Sequence, residues 1–269
     1  ISMALRTKVL RVEETHQYFD DNGLEYMSVS RLLNMISPVF NRDLMATMSA
    51  KKKGVSKESL LKEWDEKTTS AQVHGTRIHD ALENYILNAE ISKENADLEF
   101  LIKTVCSSYN EYYRRLPEEI LYNEEFRLAG ASDLILLCSN YKSSKFDIED
   151  FKTNVSKGIQ FYDPYGKNLL HPLEHLEACN YNKYALQLSF YAYMMEKMTG
   201  KKLRKMNILF IPPENTLAWR RIPVPYMKLE VEAILNFYKG SILKAVMGSR
   251  KPAQKIETQT VAEMPNLDM

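Results

Sequence analysis

The chain is poor in cysteine and has no long apolar run, and both shortages exclude classes of protein. Its three cysteines lie far apart without a Cys-x-x-Cys pair, which excludes a zinc ribbon or a four-cysteine iron–sulfur cluster. No apolar segment approaches the roughly 18 residues that a membrane span needs. The first residues also lack the apolar core of a secretion signal. We therefore expect a protein of the reducing cytoplasm that does not associate with membranes.

Neither sign of charge is in excess. The 36 basic residues are balanced by 35 acidic residues, so that the formal net charge is +1. This balance argues against a purely electrostatic nucleic-acid binder, but it leaves a local basic patch open. The 269 residues, of which 45% are hydrophobic, suffice for one large domain or for a core with added parts.

Hydrophobic periodicity predicts a helical first half followed by strands. A hairpin is expected over residues 18–26, with its turn at residues 21–23, and Ser28 or Ser30 can cap the next helix. The lysine-rich segment 51–57 is interpreted as a loop, either solvated or in contact with phosphate. Further helices are expected over residues 56–68, 72–88, 97–115, 181–198 and 226–247. Strands are expected over residues 119–128, 131–138, 145–153, 206–211 and 218–224.

The order of these elements predicts an α/β (α+β) fold. Three consecutive strands with short links favour an antiparallel meander, and the helices around it would cover both faces of a mixed sheet. Residues 1–70 are expected to pack on a core of residues 71–248, and residues 249–269 to form a disordered tail. The loop of residues 154–180 is longer than most connections, and loops of that length are more often functional.

The segment Asp150-Phe151-Lys152 pairs an acid with a lysine in a predicted strand. Residues i and i+2 of a strand point to the same side, so this carboxylate and ammonium should face one volume. A carboxylate can bind a divalent cation there, while an ammonium orients or deprotonates a neighbouring water. A second Asp-x-Lys, Asp65 to Lys67, lies in a predicted helix, where the same spacing turns the two side chains about 200° apart.

Other residues could complete a cation site. Asp133 begins the predicted apolar strand after Gly130, so Asp133 and Asp150 can converge on one ion if their strands are neighbours. Hard cations such as Mg²⁺ prefer carboxylate oxygens and retain waters that can become nucleophiles. His79 shares a helix flank with Glu83, and it is either a structural histidine or a neutral metal ligand.

Polar side chains also lie on and before the helix that follows the long loop. Gln187 and Tyr191 share a face with Tyr184, and they need polar partners if they are buried. A nucleic-acid phosphate or a metal-bound water would serve, and partial exposure is the alternative. The tyrosines of the loop region could stack unpaired bases, or they could fill the core. They are Tyr162, Tyr165 and Tyr181.

Four short segments follow one another in a fixed order over about residues 74–195. They are Gly75-x-x-x-His79, Gly130-x-x-Asp133, Asp150-x-Lys152-Thr153 and Gln187-x-x-x-Tyr191. In this order and spacing they resemble the PD-(D/E)XK nuclease superfamily, in particular its RecB-type or phage-type exonuclease branch without an iron–sulfur cluster. The resemblance implies a restriction-endonuclease-like αβββαβ core with N-terminal helical additions.

The resemblance also implies a cation site. One or two Mg²⁺ or Mn²⁺ ions would be bound by His79, Asp133, Asp150 and the carbonyl of Phe151. A glutamate in the strand before Gly130 joins many such sites. Here two glutamates are adjacent, and regular strand alternation favours Glu125 over Glu124. No nucleotide cofactor is implied.

Roles in catalysis follow from the same resemblance. Lys152 would orient or activate the attacking water beside the catalytic carboxylates Asp150 and Asp133. Gln187 and Tyr191 would hold the DNA strand, with Thr153 as a further substrate-binding residue. Strand alternation turns Glu149 away from Asp150, so Glu149 should not touch the metal.

The expected activity is hydrolysis of DNA phosphodiester bonds. The resemblance favours a Mg²⁺- or Mn²⁺-dependent exonuclease of recombination, repair or phage DNA processing, acting at DNA ends and compatible with a homo-oligomer. One alternative is an inactive relative that only binds DNA. Another is a zinc peptidase, because His171, Glu174 and His175 fit an H-x-x-E-H pattern. Pro172 restricts any helix there to its first turn, which favours a short helical turn that packs the loop over the site.

Overall fold

A mixed sheet of eight strands forms the centre of the computed structural model, which describes residues 9–12, 15–138, 144–153 and 158–247. The strands are β1 (Val9–Val12), β2 (Gln17–Asp20), β3 (Glu25–Ser28), β4 (Tyr112–Asn123), β5 (Leu128–Cys138), β6 (Lys145–Lys152), β7 (Lys202–Phe210) and β8 (Arg220–Val224). The α-helices are α1 (Val29–Met35), α2 (Arg42–Lys53), α3 (Lys57–Asn88), α4 (Glu99–Ser107), α5 (Asn180–Thr199) and α6 (Lys228–Met247). Single 3₁₀ turns span Lys93–Leu98 and Thr216–Ala218.

The sheet has helices on both faces, as the sequence predicts. Strands β4, β5 and β6 form an antiparallel meander, and β7 then joins β6 in parallel. Helices α3 and α4 contribute to one core, whereas α1, α5 and α6 contribute to the other. The order α3, β4, β5, β6, α5, β7 is the expected αβββαβ core, and the predicted fold class is confirmed. No helix among the described residues is long and apolar enough to cross a bilayer.

The N-terminal hairpin and its following cap are also confirmed. Strands β2 and β3 pair across the turn of residues 21–23. Ser28, one of the two predicted caps, accepts a hydrogen bond from the Arg31 N–H at 3.1 Å, so its hydroxyl satisfies a helix donor that has no partner inside the helix. The hairpin and β1 extend the sheet beside β5.

Two predictions about the helical half are wrong. Residues 57–88 form one helix of 32 residues, not two, because no glycine or proline interrupts the segment between the predicted halves. The predicted domain boundary at residues 70/71 lies inside this helix, and the division itself stays a prediction. Lys51 to Lys53 do not form a loop but belong to the last turn of α2. The helix dipole favours cationic side chains in that turn. Gly54 ends that helix with a φ of 69°.

The change from helix to strand comes earlier than the sequence pattern indicates. Helix α4 ends at Ser107, and β4 already begins at Tyr112. Tyr109 and Tyr112 are buried against the sheet, which is why they extend the apolar spacing of α4 in the sequence beyond the end of the helix. Their hydroxyls donate hydrogen bonds to Glu149 and Asp147, at 2.6 Å each. As a consequence β4 ends at Asn123, and residues 124–127 form the turn to β5.

Strand β4 reverses its facing in the middle. Leu116 and Leu121 both pack on the core below α5 and α6, although regular alternation would put residues five apart on opposite faces. Between them Glu118 has a φ of 47°, in the left-handed region that a residue with a side chain seldom adopts. This conformation turns the strand and gives Glu118 an orientation that regular alternation does not predict.

Candidate functional site

Three side chains from different elements converge at one point of the described structure. His79 of α3, Glu118 of β4 and Asp133 of β5 each offer a ligand atom, and these atoms lie within 4.8 Å of one another. The Nδ1 atom of His79 is 3.7 Å from Oδ2 of Asp133. The predicted metal ligands His79 and Asp133 are thus brought together, and Glu118 joins them. We refer to these three residues as the cation cluster.

Strand register explains why these residues meet. Pro117 pairs with Leu134, and Glu119 pairs with Ser132, so Glu118 lies across from Asp133. On the other side of β5, the pairing with β6 ends at Leu134 and Glu149, one position before Asp133 and Asp150 would face each other. The row of carboxylates at positions 118, 133 and 150 therefore crosses three neighbouring strands where the sheet opens.

Asp133 occupies the opening between β5 and β6. Its Oδ2 accepts a hydrogen bond from the Phe151 N–H at 2.6 Å, a bond that a backbone carbonyl would accept in a continuous ladder. The carboxylate thus fixes the backbone of β6 at the segment Asp150-Phe151-Lys152. The ring of Phe151 is buried and lies edge-on to the His79 ring at 5.5 Å between centroids. The structure gives no ligand distance for the Phe151 carbonyl, whose role stays a prediction.

Two of the motif glycines are required by close contacts with other motif residues. A Cβ atom at Gly130 would lie 2.6 Å from the ring of Tyr191, so a larger residue would displace that ring. A Cβ atom at Gly75 would lie 2.9 Å from Oγ1 of Thr153. Both glycines therefore allow helices α5 and α3 to approach the strands that carry the carboxylates.

Asp150 and Lys152 form a buried ion pair beside the cation cluster. Asp150 is 1% exposed, its Oδ2 contacts the Lys152 ammonium, and its Oδ1 has no hydrogen-bond partner among the described residues. A buried carboxylate oxygen without a hydrogen bond is costly, and such atoms are commonly completed by a bound ion or water. Asp150 does not belong to the cluster of three, but it adjoins that cluster through Asp133 and Lys152.

The charges of this pair depend on each other. Burial and the Asp133 carboxylate raise the pKa of the Asp150 carboxyl above its usual range, and the Lys152 ammonium opposes that rise. Burial by itself would lower the pKa of Lys152, but the carboxylates of Asp150 and Asp133 outweigh it and raise that pKa. Lys152 is therefore an ammonium at neutral pH. Its Nζ lies 4.9 Å from the ring centre of Tyr184, which favours the charged form as well.

Glu118 is the site residue that the sequence analysis missed. Burial and the Asp133 carboxylate raise the pKa of Glu118 to about 7, although Arg11, whose Nη1 lies 3.0 Å from Glu118 Oε2, lowers it. Pro117 was the available signal, because a proline inside a strand marks an edge or an irregularity. A strained backbone at a partly buried acid is itself typical of functional sites.

The structure does not bring Glu125 to the cluster, so this prediction is corrected. Glu125 lies in the turn after β4, with 66% of its side chain exposed, and pairs with Lys239 of α6 at 3.0 Å. The predicted strand extended too far, and the alternation counted from its end selected a turn residue. Glu124 lies in the same turn.

Glu149 points away from the cation cluster, as predicted from strand alternation. It is buried on the α4 side of the sheet, where it accepts hydrogen bonds from Tyr109 at 2.6 Å and from Arg221 at 2.5 Å. Asn207 adds a longer contact of 3.4 Å. The adjacent carboxylates thus differ in environment: both oxygens of Glu149 accept hydrogen bonds, whereas only Oδ2 of Asp150 has a partner among the described residues.

These two carboxylates should respond differently to neutralisation. Glu149→Gln leaves the Arg221 guanidinium without its carboxylate, and breaking a largely buried ion pair costs about 3 kcal/mol of unfolding free energy. Asp150→Asn should change that free energy by less than about 1 kcal/mol, because the lost contact with Lys152 is offset by removal of a charge that burial and the Asp133 carboxylate already destabilise. Urea unfolding without divalent cations measures both changes. An equal loss of stability in the two variants would contradict this difference in environment.

A groove of about 1780 Å³ leads to the cation cluster. His79, Glu118 and Thr153 form part of its wall, and the N-terminal half of α3 and the loop of residues 158–165 form much of the rest. Tyr184 also lines the groove, whereas Asp150 and Lys152 lie behind the wall. Aromatic side chains reach the groove at positions 40, 64 and 165.

Of the predicted DNA-holding pair, Tyr191 is buried and Gln187 is partly buried. The Nε2 of Gln187 donates to the Tyr191 hydroxyl at 2.9 Å, and Tyr191 is 5% exposed. Burial raises the pKa of Tyr191 well above its usual value, so the hydroxyl is neutral. Neither residue lines the described groove, and the structure therefore places them as supports of Gly130 and its strand. Thr153, the third predicted substrate contact, does line it.

The H-x-x-E-H segment does not form a zinc site in the described residues. Residues 171–175 form turns instead of the predicted short helical turn, so the two histidines do not share a helix face. His171 pairs with Glu174 at 2.8 Å, and His175 lies 3.9 Å from Glu230, both with exposed side chains. The zinc-peptidase alternative therefore lacks the ligand geometry that its chemistry needs.

No protein-family profile and no curated protein sequence matches the chain. Among solved structures, the chain is similar to the protein named "Putative exonuclease" from Eubacterium rectale, with 16% sequence identity and a TM-score of 0.39. The match covers 84% of this chain and 83% of that chain.

Proposed function

We propose that the protein is a divalent-cation-dependent nuclease that hydrolyses DNA phosphodiester bonds at the cation cluster. One observation carries this proposal: His79, Glu118 and Asp133 converge within 4.8 Å, beside a buried Asp150 whose Oδ1 lacks a hydrogen bond. The ammonium of Lys152 adjoins the same carboxylates. A hydrolase of anionic phosphodiesters needs this combination of cation ligands with a fixed positive charge.

The donor set fits Mg²⁺ or Mn²⁺. His79, Glu118, Asp133 and Asp150 would hold one or two ions, because carboxylate oxygens suit hard cations and an imidazole is tolerated by Mn²⁺. The unpaired Oδ1 of Asp150 supports this assignment, since a bound cation would complete it. Such a cation lowers the pKa of a bound water and neutralises phosphate charge.

Lys152 supplies a positive charge in this proposal. Without a bound cation, the carboxylates of Asp150 and Asp133 raise the pKa of its ammonium and keep it charged. Its donors can orient a water or stabilise charge that develops on the phosphate or the leaving oxygen. Asp150 holds this ammonium in place, and the Tyr184 ring covers it on the groove side.

The groove is the proposed path of the DNA strand. Thr153 and Tyr184 line it next to the cluster, and they would contact the backbone near the reacting phosphate. Phe40, Trp64 and Tyr165 line it farther away and offer faces on which unpaired bases can stack. In this proposal Gln187 and Tyr191 do not contact DNA. Gln187 orients the Tyr191 ring, which packs on Gly130 and supports the strand that carries Asp133.

The finer parts of the proposal come from the resemblance of the four motifs to the RecB-type exonuclease branch. They are exonuclease action at DNA ends, a place in recombination, repair or phage DNA processing, and a homo-oligomeric form. The division into an extension of residues 1–70, a core of residues 71–248 and a tail is proposed on the same basis. The tail lies outside the described residues.

The decisive test is an activity assay of the purified protein on linear and circular DNA. With EDTA, Mg²⁺, Mn²⁺ or Zn²⁺ as the variable, we expect hydrolysis with Mg²⁺ or Mn²⁺ and none with EDTA. Degradation of linear DNA alone identifies an exonuclease, and loss of the circle identifies an endonuclease. Binding of DNA without cleavage under every condition would favour the inactive relative. Absence of cleavage on any DNA or RNA would refute the proposal.

A further inference from the structure

Arg11 approaches the cation cluster from outside the αβββαβ core. It lies on β1, and its Nη1 is 3.0 Å from Oε2 of Glu118 on β4. Its Nη2 is 2.6 Å from Nδ1 of His16. The side chain is 18% exposed, so most of its surface is removed from water. The guanidinium is therefore held from two directions next to a proposed cation ligand.

The groove wall joins this guanidinium to the cluster. Arg11, Glu118 and His79 all line the groove that leads to the cluster. Other cationic side chains of the wall are paired elsewhere: Arg42 contacts Asp65 at 2.5 Å, and Lys67 contacts Glu63 at 2.6 Å. Arg11 thus lines the groove and forms its ion pair with Glu118, a residue of the cation cluster.

Charge balance gives Arg11 a reason to change partners. The carboxylates of Glu118, Asp133 and Asp150 outnumber the cationic side chains of Lys152 and Arg11 that pair with them. When a divalent cation shares Glu118, the positive charges outnumber these carboxylates, and the attraction of Glu118 for Arg11 weakens. A phosphate that approaches the cation then becomes the better partner for the guanidinium, whose planar donors match phosphate oxygens.

We propose that Arg11 binds a phosphate group of the nucleic-acid strand at the cation cluster, and that Glu118 and His16 hold its guanidinium ready for this contact. The inference rests on the proposed nuclease function and deepens it. It gives the β1 segment a part in substrate binding that the motif residues do not supply. A side chain held in its bound position loses little conformational freedom on binding, which strengthens the contact.

Arg11→Gln tests the phosphate contact. We expect its kcat/KM on DNA to fall roughly 10- to 100-fold, because a charge-assisted hydrogen bond is lost. The slope of log kcat/KM against log salt, from about 50 to about 200 mM, should become shallower by roughly 0.7 to 0.9, which corresponds to one phosphate contact fewer. Arg11→Lys should keep the slope, since the charge stays, but recover only part of the activity.

A second measurement separates phosphate binding from mere support of Glu118. Calorimetric titration of Mn²⁺ without nucleic acid should show unchanged or tighter binding in Arg11→Gln, because a neighbouring positive charge is gone. Weaker Mn²⁺ binding together with an unchanged salt slope would mean that Arg11 only supports Glu118, and it would overturn the proposal. Calorimetry also shows whether each variant is folded well enough to bind the ion.

The matched control is Arg31→Gln. Arg31 also pairs with a glutamate, Glu25, at 3.4 Å, but it does not line the groove. It should leave both the salt slope and kcat/KM unchanged, and an equal effect in both arginine variants would refute a specific contact. Failure of the nuclease function itself has a different signature, because the parent protein would then cleave no nucleic acid before any variant is compared.

Discussion

Lys152→Met is expected to lower kcat on DNA at least 100-fold while the protein stays folded. The ammonium of Lys152 adjoins Asp150 and Asp133, and removal of one preorganised charge that stabilises a transition state costs about two to three orders of magnitude in kcat. Methionine keeps the length and apolar stem of the side chain, so the packing against Tyr184 is disturbed little. Single-turnover cleavage of linear DNA in Mg²⁺ measures the effect.

Two controls accompany this variant. Lys145→Met changes an exposed lysine at the start of the same strand, and we expect full activity from it. Mn²⁺ titration of Lys152→Met should show binding as tight as that of the parent or tighter, because a positive charge next to the ligands has been removed. Cleavage at the parental rate by Lys152→Met would remove Lys152 from the mechanism.

Glu118→Gln is expected to weaken Mn²⁺ binding and to lower kcat/KM at least 100-fold. Glu118 is one of the three residues whose ligand atoms lie within 4.8 Å, and loss of a direct ligand should cost at least as much as the 10- to 100-fold measured for supporting residues. Glutamine keeps the size of the side chain, so the hydrogen bond from Arg11 can persist. Calorimetry for Mn²⁺ and a DNA cleavage assay read the two effects separately.

The matched control for this prediction is Glu125→Gln. It makes the same chemical change in the turn after β4, where the carboxylate pairs with Lys239 on the surface. We expect parental metal binding and activity, because exposed ion pairs contribute little and no cluster residue is touched. If Glu125→Gln loses activity and Glu118→Gln keeps it, the assignment of the fourth carboxylate is wrong. Unchanged Mn²⁺ binding in both variants would exclude either residue as a ligand.

The sequence by itself determined which elements form the core and which motif residues stand near one another. The strand of residues 145–153 is predicted within one residue, because apolar positions, turn residues and the Asp-x-Lys spacing agree there. The resemblance of four motifs to a nuclease superfamily predicted that four side chains lie close together, those of His79, Asp133, Asp150 and Lys152. The opposite facing of Glu149 and Asp150 followed from strand alternation alone, since β6 keeps one pairing register with β7 from Asp147 to Lys152.

Boundaries were harder wherever tertiary burial replaced the local pattern. Tyr109 and Tyr112 continue a helical stripe in the sequence, yet Tyr109 lies in the turn after α4 and Tyr112 begins β4. Their hydroxyls are satisfied by Glu149 and Asp147, which lie more than thirty residues later in the chain. No local periodicity contains such a contact. The resulting shift of β4 moved the predicted glutamate from the site to the turn.

Only the tertiary structure decided the fourth carboxylate and the partner of its charge. Glu118 reaches the cluster because its left-handed backbone reverses the facing of β4, and regular alternation assigns the wrong side to every residue beyond such a point. Arg11 meets Glu118 across more than a hundred residues of sequence, since β1 is folded against β4. Sequence patterns describe regular strands and helices, whereas this site lies where two strands depart from regular geometry.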